Sequence, residues 1–179
     1  MKYIRILVAC LAGLAITMST ITPARAETDS DLSPAETQEV LAIAENYEAG
    51  ANDKGPMPTG GSYRLSTQKN TREAGYVETS GSLDFRRRGK AVHLYGWLND
   101  HCPGNGKGAY LYLVLTFKDG TKGIRLIRRD VGGCSGDGVT YKALTRGPGG
   151  KKIRKALVLL VERDAGHSAA AHAGVVFKR

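Results

Sequence analysis

Seven short strand-like runs, with no helical pattern between them, restrict this chain more than any other feature. The first is YVETSGSLDF at 76–85, where Val77, Thr79, Leu83 and Phe85 share one face of a period-two strand. The others are AVHLYGWL (91–98), AYLYLVLTF (109–117), GIRLIRR (123–129), VTYKAL (139–144), KIRKALVLLVE (152–162) and AGVVFK (173–178). A weaker run at 63–67 would make an eighth. Between them stand Arg88-Gly89, Asp119-Gly120, Asp137-Gly138 and Gly147-Pro148-Gly149-Gly150, the residue types that tight turns require. Strands that follow one another without helices cannot build parallel crossover units. They predict a mainly β fold, an antiparallel β-sandwich of jelly-roll or Ig-like type with seven or eight strands.

One helix is expected ahead of the strands. Ser33-Pro34-Ala35-Glu36 reads as a capping box with proline at the first helical position. Val40, Ile43, Ala44 and Tyr47 then recur at helical spacing, with Glu36, Glu39, Glu45 and Glu48 around the rest of the cylinder and Gly50 placed to stop it. The glycine- and proline-rich stretch 52–62 reads as a linker. An amphipathic helix of this kind either docks on the rest of the chain or waits for a partner.

The N-terminus reads as an export signal. Lys2 and Arg5 precede an apolar run at 6–16, shorter than the roughly 20 residues that span a bilayer. Ala24-Arg25-Ala26 then fits a signal peptidase site. The organisation expected is a cleaved signal at 1–26, an acidic helical segment and linker at 27–61, and a β-sandwich domain at 62–179. The mature chain is then secreted and extracellular, with no membrane span. Leu7–Cys10 resembles a lipobox, but too few apolar residues precede it.

Cleavage removes Cys10 and leaves Cys102 and Cys134, which in an oxidising compartment predict one disulfide. A zinc site drawing on these cysteines with His167 and His172 has neither CxxC nor HExxH spacing behind it, so no metal is expected. The stretch HCPGNGKG (101–108) opens a strand rather than a helix, and its glycines match no nucleotide-binding fingerprint. No cofactor is therefore expected, and the segment reads as a turn pinned by the disulfide.

Charge divides the mature chain. Residues 27–54 hold eight acidic residues and one basic, a net −7, whereas 55–179 hold 22 basic and nine acidic, a net +13. If the strands run alternately up and down, three basic turns meet at one pole. Their residues are Arg86, Arg87, Arg88, Lys90, Lys118, Lys122, Arg146, Lys151 and Lys152, a candidate anion-binding patch. A second candidate is aromatic. His93, Tyr95 and Trp97 share the face opposite Val92, Leu94 and Leu98, and Tyr110 and Tyr112 share the face opposite Leu111, Leu113, Leu115 and Phe117. On neighbouring strands these rings would make a platform for sugars or bases, or they would bury against another layer.

The function expected is non-catalytic binding of an anionic polymer or glycan of the cell envelope, with nucleic acid a less specific partner. One alternative is a small secreted nuclease-like hydrolase using His101 with His167 or His172 as an acid–base pair. Another is an exported interaction module acting through the acidic helix.

Overall fold

The computed structural model describes residues 27–28, 32–53, 56–69, 75–101, 108–131, 137–163 and 169–179. The expected signal, Cys102, Cys134 and His167 lie outside these residues. In chain order the elements are β1 (Glu27–Thr28), α1 (Pro34–Asp53), β2 (Gly61–Ser66), β3 (Tyr76–Arg86), β4 (Ala91–His101), β5 (Gly108–Phe117), β6 (Lys122–Asp130), β7 (Val139–Arg146), β8 (Ile153–Arg163) and β9 (Ala169–Lys178). One sheet has the order β1-β6-β5-β8-β9 and the other β2-β3-β4-β7. Two-residue β1 runs parallel to β6, and the remaining neighbours are antiparallel. The molecule is a β-sandwich carrying one N-terminal helix.

Period-two alternation builds the core between the sheets. Val77, Leu83, Val92, Leu94 and Leu98 point inward from one sheet and meet Leu111, Leu113, Leu115, Val158 and Leu160 from the other. A second core lies on the far side of the five-stranded sheet. There Tyr110, Tyr112, Val114, Leu157, Leu159 and Val161 pack under Val40, Ile43 and Ala44 of α1. Covering each large aliphatic side chain stabilises by about 1.5–3 kcal/mol, so the apolar stripe of the helix is used on its own sandwich. The Ser33 cap forms as the sequence predicts: Glu36 N–H donates to Ser33 Oγ at 3.2 Å and Thr37 N–H to Ser33 O at 2.9 Å. The helix continues past Gly50 to Asp53. A Cβ at Gly50 would meet nothing within 4 Å, so no packing ends the helix there.

A buried hydroxyl cluster fixes the middle of the four-stranded sheet. Gly81 and Gly96 stand opposite each other on β3 and β4, and Tyr141 on β7 is the partner of Gly96. The hydroxyls of Tyr63 and Tyr141 occupy the space their missing side chains leave: a Cβ on Gly96 would fall 2.4 Å from Tyr141 Oη. Tyr63 and Tyr141 hydrogen-bond each other, and Thr79 Oγ1 lies 2.9 Å from Tyr141 Oη and donates to Trp97 O at 2.7 Å. Burial pushes both tyrosine hydroxyls above their ordinary pKa, so they remain neutral donors.

Successive strands from β2 onward alternate direction even where the chain passes from one sheet to the other, and the turns at 87–90, 118–121 and 147–152 share one pole. Backbone bonds tie them: Gly147 N–H to Lys90 O and Lys118 N–H to Lys152 O, each 2.9 Å.

Candidate functional site

The shared pole collects the basic turns. Arg87, Arg88, Lys90 and Lys152 line one depression of about 440 Å³. The hairpin carrying three of them is unusual for its composition. Arg87 and Arg88 adopt φ of 53° and 56°, and Gly89 follows at 82°. Two successive non-glycine residues in the left-handed region cost about 1 kcal/mol or more each. Asparagine or glycine would occupy those positions with less strain, yet the chain places arginine at both. Arg179 closes over the turn: a Cβ on Gly89 would lie 2.2 Å from Arg179 Cδ.

The nine basic residues expected at this pole divide into groups. Lys118 and Arg146 are exposed beside the central four. Arg86 bonds Asp84 at 3.1 Å. Lys151 is 3.2 Å from Asp119 and lies over the Phe117 ring. The Asp119 carboxyl sits below its ordinary pKa because the Thr121 hydroxyl and backbone N–H donate to it, with Lys151 adding to the effect. Lys122 is turned toward the helix, 3.7 Å from Glu45 and 3.6 Å from Glu48. It is part of the helix attachment rather than of the depression.

The aromatic residues do not form one platform. β4 and β5 belong to different sheets, and the five rings lie on opposite outer faces of the sandwich. Tyr110 and Tyr112 are 9% and 0% exposed beneath α1. Tyr112 donates its hydroxyl to Glu36 and accepts from Arg163 Nε at 2.9 Å, and Arg163 also bonds Glu39. Burial raises the Tyr112 hydroxyl pKa, and the bond to Glu36 raises it further. His93, Tyr95 and Trp97 remain together on the other face, where Tyr95 is 44% exposed and its ring centroid lies 5.4 Å from that of His93. Trp97 is tethered through Nε1–H to Asp137 O at 3.0 Å.

The histidines do not converge. His101 is on the four-stranded sheet, 2.7 Å from Glu78 and stacked on Tyr76 at 4.3 Å. His172 is on β9 at the opposite outer face, where its Nδ1 lies 3.1 Å from Tyr47 Oη. The two cannot act as one acid–base pair, because the whole sandwich separates them. Among the described residues, no group of three His, Cys, Asp or Glu side chains is placed to hold a metal ion. No helix among them is long and apolar enough to cross a membrane.

Sequence reading missed two polar clusters. One is Arg163, 2% exposed, joining Tyr112, Glu36 and Glu39 under the start of α1. The other lies at the pole opposite the basic turns. Asp100 and Glu162 are 4% exposed there, Thr67 donates to Glu162 at 3.0 Å, and Asp130 is near enough to act on Asp100. Burial first, then Asp130 and Glu162, push the Asp100 carboxyl up to about 6, against a smaller opposing effect of His101. The exposed-looking Asn99-Asp100 dipeptide gave no signal of this, since burial there depends on how the two sheets close.

Compared with known proteins, the chain matches no family model, no curated protein and no solved structure.

Proposed function

We propose that this is an exported, non-catalytic binding protein for an anionic polymer of the cell envelope or its surroundings. The observation that carries the reading is the depression formed by Arg87, Arg88, Lys90 and Lys152, which no carboxylate lines among the described residues. Convergent cations of this kind attract an anionic chain and release its counterions, so affinity falls as salt rises. The strained arginine hairpin supports the same reading, because backbone strain persists where side-chain identity matters more than local stability. Placement on turns between rigid strands suits binding, which needs a fixed array of charge and no moving parts. Nothing in the reading requires the acidic helix to leave the five-stranded sheet.

The test is a salt series against an anionic polysaccharide, comparing the mature chain with an Arg87→Gln/Arg88→Gln variant. The expected result is a steep loss of affinity with salt, and a salt slope shallower by about one unit per arginine removed. Binding that ignores salt, or a variant equal to the parent, overturns the proposal. Export has its own test. The intact mass of secreted material should correspond to a chain beginning at Glu27 with one Cys102–Cys134 bond, and reduction should add two hydrogens. Two free thiols would remove the disulfide.

A further inference from the structure

We infer that the polymer is a glycan whose neutral rings lie along β4 while its charged substituent sits in the arginine hairpin. This rests on the anion-binding reading above and adds the open face of the four-stranded sheet to it. The hairpin leads directly into this face along the chain, since β4 leaves the hairpin at Ala91 and carries His93, Tyr95 and Trp97 outward in succession. At about 3.3 Å per residue, Ala91 to Trp97 spans roughly 20 Å, room for a short run of sugar rings.

The residues beside each ring fit sugars. Tyr95 is flanked by Ser82 and Lys142, Trp97 by Ser80 and Thr140, and His93 by Asp84 and Leu144. His93, Tyr95, Thr140 and Lys142 surround a shallow depression of about 500 Å³. The C–H bonds on one face of a pyranose carry partial positive charge, and the face of an aromatic ring is negative, so the two stack. The equatorial hydroxyls then meet the hydroxyl and amine groups alongside, the usual division between apolar support and a few placed polar groups. The platform is rigid. Trp97 is tethered at Nε1, and the backbone between the rings passes over the Tyr63–Tyr141 hydroxyl pair.

Charge decides between a glycan and a nucleic acid. A phosphodiester strand carries a negative charge at every repeat and asks for cations along its whole track. This face instead mixes signs. Asp84 lies beside His93, and Glu78 lies farther along, paired with Arg64 at 3.3 Å and His101 at 2.7 Å. Four cations, Arg87, Arg88, Lys90 and Lys152, gather at one end, and Lys142 stands beside the rings at Tyr95. The complementary ligand therefore has neutral rings separating its anionic groups, and a carboxylate, sulfate or phosphate serves equally at the hairpin.

The experiment compares four probes: a β-linked neutral oligosaccharide, the same oligosaccharide ending in a uronate, the same ending in a phosphate, and single-stranded DNA. Each is titrated against the mature chain, Tyr95→Ala and Arg87→Gln/Arg88→Gln. Either charged oligosaccharide should bind about tenfold or more tightly than the neutral one at low salt, and Tyr95→Ala should weaken it about tenfold. The two charged arms show which anion the hairpin prefers. Tyr95→Ala binding the charged oligosaccharides like the parent, while the arginine variant loses them, overturns the glycan inference and leaves the anion reading standing. An arginine variant equal to the parent overturns both. DNA that binds as tightly as the charged sugars and is weakened by Tyr95→Ala makes the ligand a nucleic acid. Tyr95 is exposed, so its variant should keep the parent melting temperature, which checks that lost affinity is not lost fold.

Discussion

The two outer faces of the sandwich carry similar aromatic rows and use them in opposite ways. On β5, Tyr110 and Tyr112 alternate with inward leucines, and on β4 Tyr95 and Trp97 alternate with inward Leu94, Gly96 and Leu98. The first pair is sealed under α1, whereas Tyr95 stands open to solvent. The difference lies in the neighbours. β8, beside β5, is apolar on both sides, with Leu157, Leu159 and Val161 outward and Ala156, Val158 and Leu160 inward. Outward on β3 and β7, beside β4, are Ser80, Ser82, Thr140 and Lys142. An aromatic row needs a cover when its sheet is apolar across several strands, and can serve as a surface when its flanks are polar.

The largest effect should come from breaking that contrast directly. Tyr112→Ala opens a void under the helix and removes the hydroxyl that joins Glu36 to Arg163. It should cost about 3–5 kcal/mol, the range for truncating a large buried aromatic. Tyr95→Ala should stay within about 0.5 kcal/mol of the parent, as surface changes do. Urea unfolding of the two variants measures both, and equal losses would end the distinction between the faces. Arg163→Met comes next. It leaves Glu39 and Glu36 facing a buried thioether and should cost about 3 kcal/mol, the low end for breaking a buried ion pair, since both glutamates keep some contact with water. The Arg163→Met/Glu39→Met double variant should recover part of that loss.

Much of this fold was legible in the chain. Eight of the nine strands follow from the strand-like runs and the turn residues between them, and the helix start follows from Ser33 and Pro34. The cover over Tyr110 and Tyr112 was legible in principle. Every residue from Gly108 to Phe117 is buried, and so is nearly every residue of β8. A strand apolar on both faces must lie between two layers, and α1 was the element free to supply one. The pairing of strands was not legible. Placing β4 and β5 side by side joined five rings that belong to two faces, because the periodicity of one strand carries no information about which strand lies next to it. The charges behaved likewise. The clustering of the basic turns follows from strand direction, but the loss of Lys122 to Glu45 and Glu48 needed the position of the helix.

A smaller effect belongs to the interior of the open sheet, at the pole away from the arginines. Asp100 has one buried carboxylate oxygen with no hydrogen-bond partner among the described residues, and burial, then Asp130 and Glu162, raise its pKa against a smaller opposing effect of His101. Its pKa is raised from 3.8 to about 6, so the folded chain binds more protons than the unfolded one between those values. Stability from this group therefore falls as pH rises through that window and is level above it. Asp100→Asn should remove the fall. The difference between parent and variant urea midpoints, followed across that window, measures it, and parallel curves would mean that Asp100 titrates normally.

The smallest effect has the opposite sign and bears on what the open face is for. Arg87→Asn/Arg88→Asn relieves two left-handed arginines, because the short polar amide of asparagine hydrogen-bonds locally and adopts that backbone at lower cost than a long aliphatic side chain. It also removes two like charges that crowd Lys90 and Lys152 around one depression. The variant should be more stable than the parent by about 1 kcal/mol, part of the strain expected at such positions. It should bind the charged oligosaccharides more weakly and with a flatter salt slope. Substitution under the helix should lose stability because the residue packs there, whereas on the proposed binding role substitution at the hairpin should gain stability and lose ligand. Thermal unfolding and a salt titration on the same preparation measure both. A variant that loses stability would show that the arginines support the turn, and one that gains stability with binding intact would show that the strain serves something other than the anion.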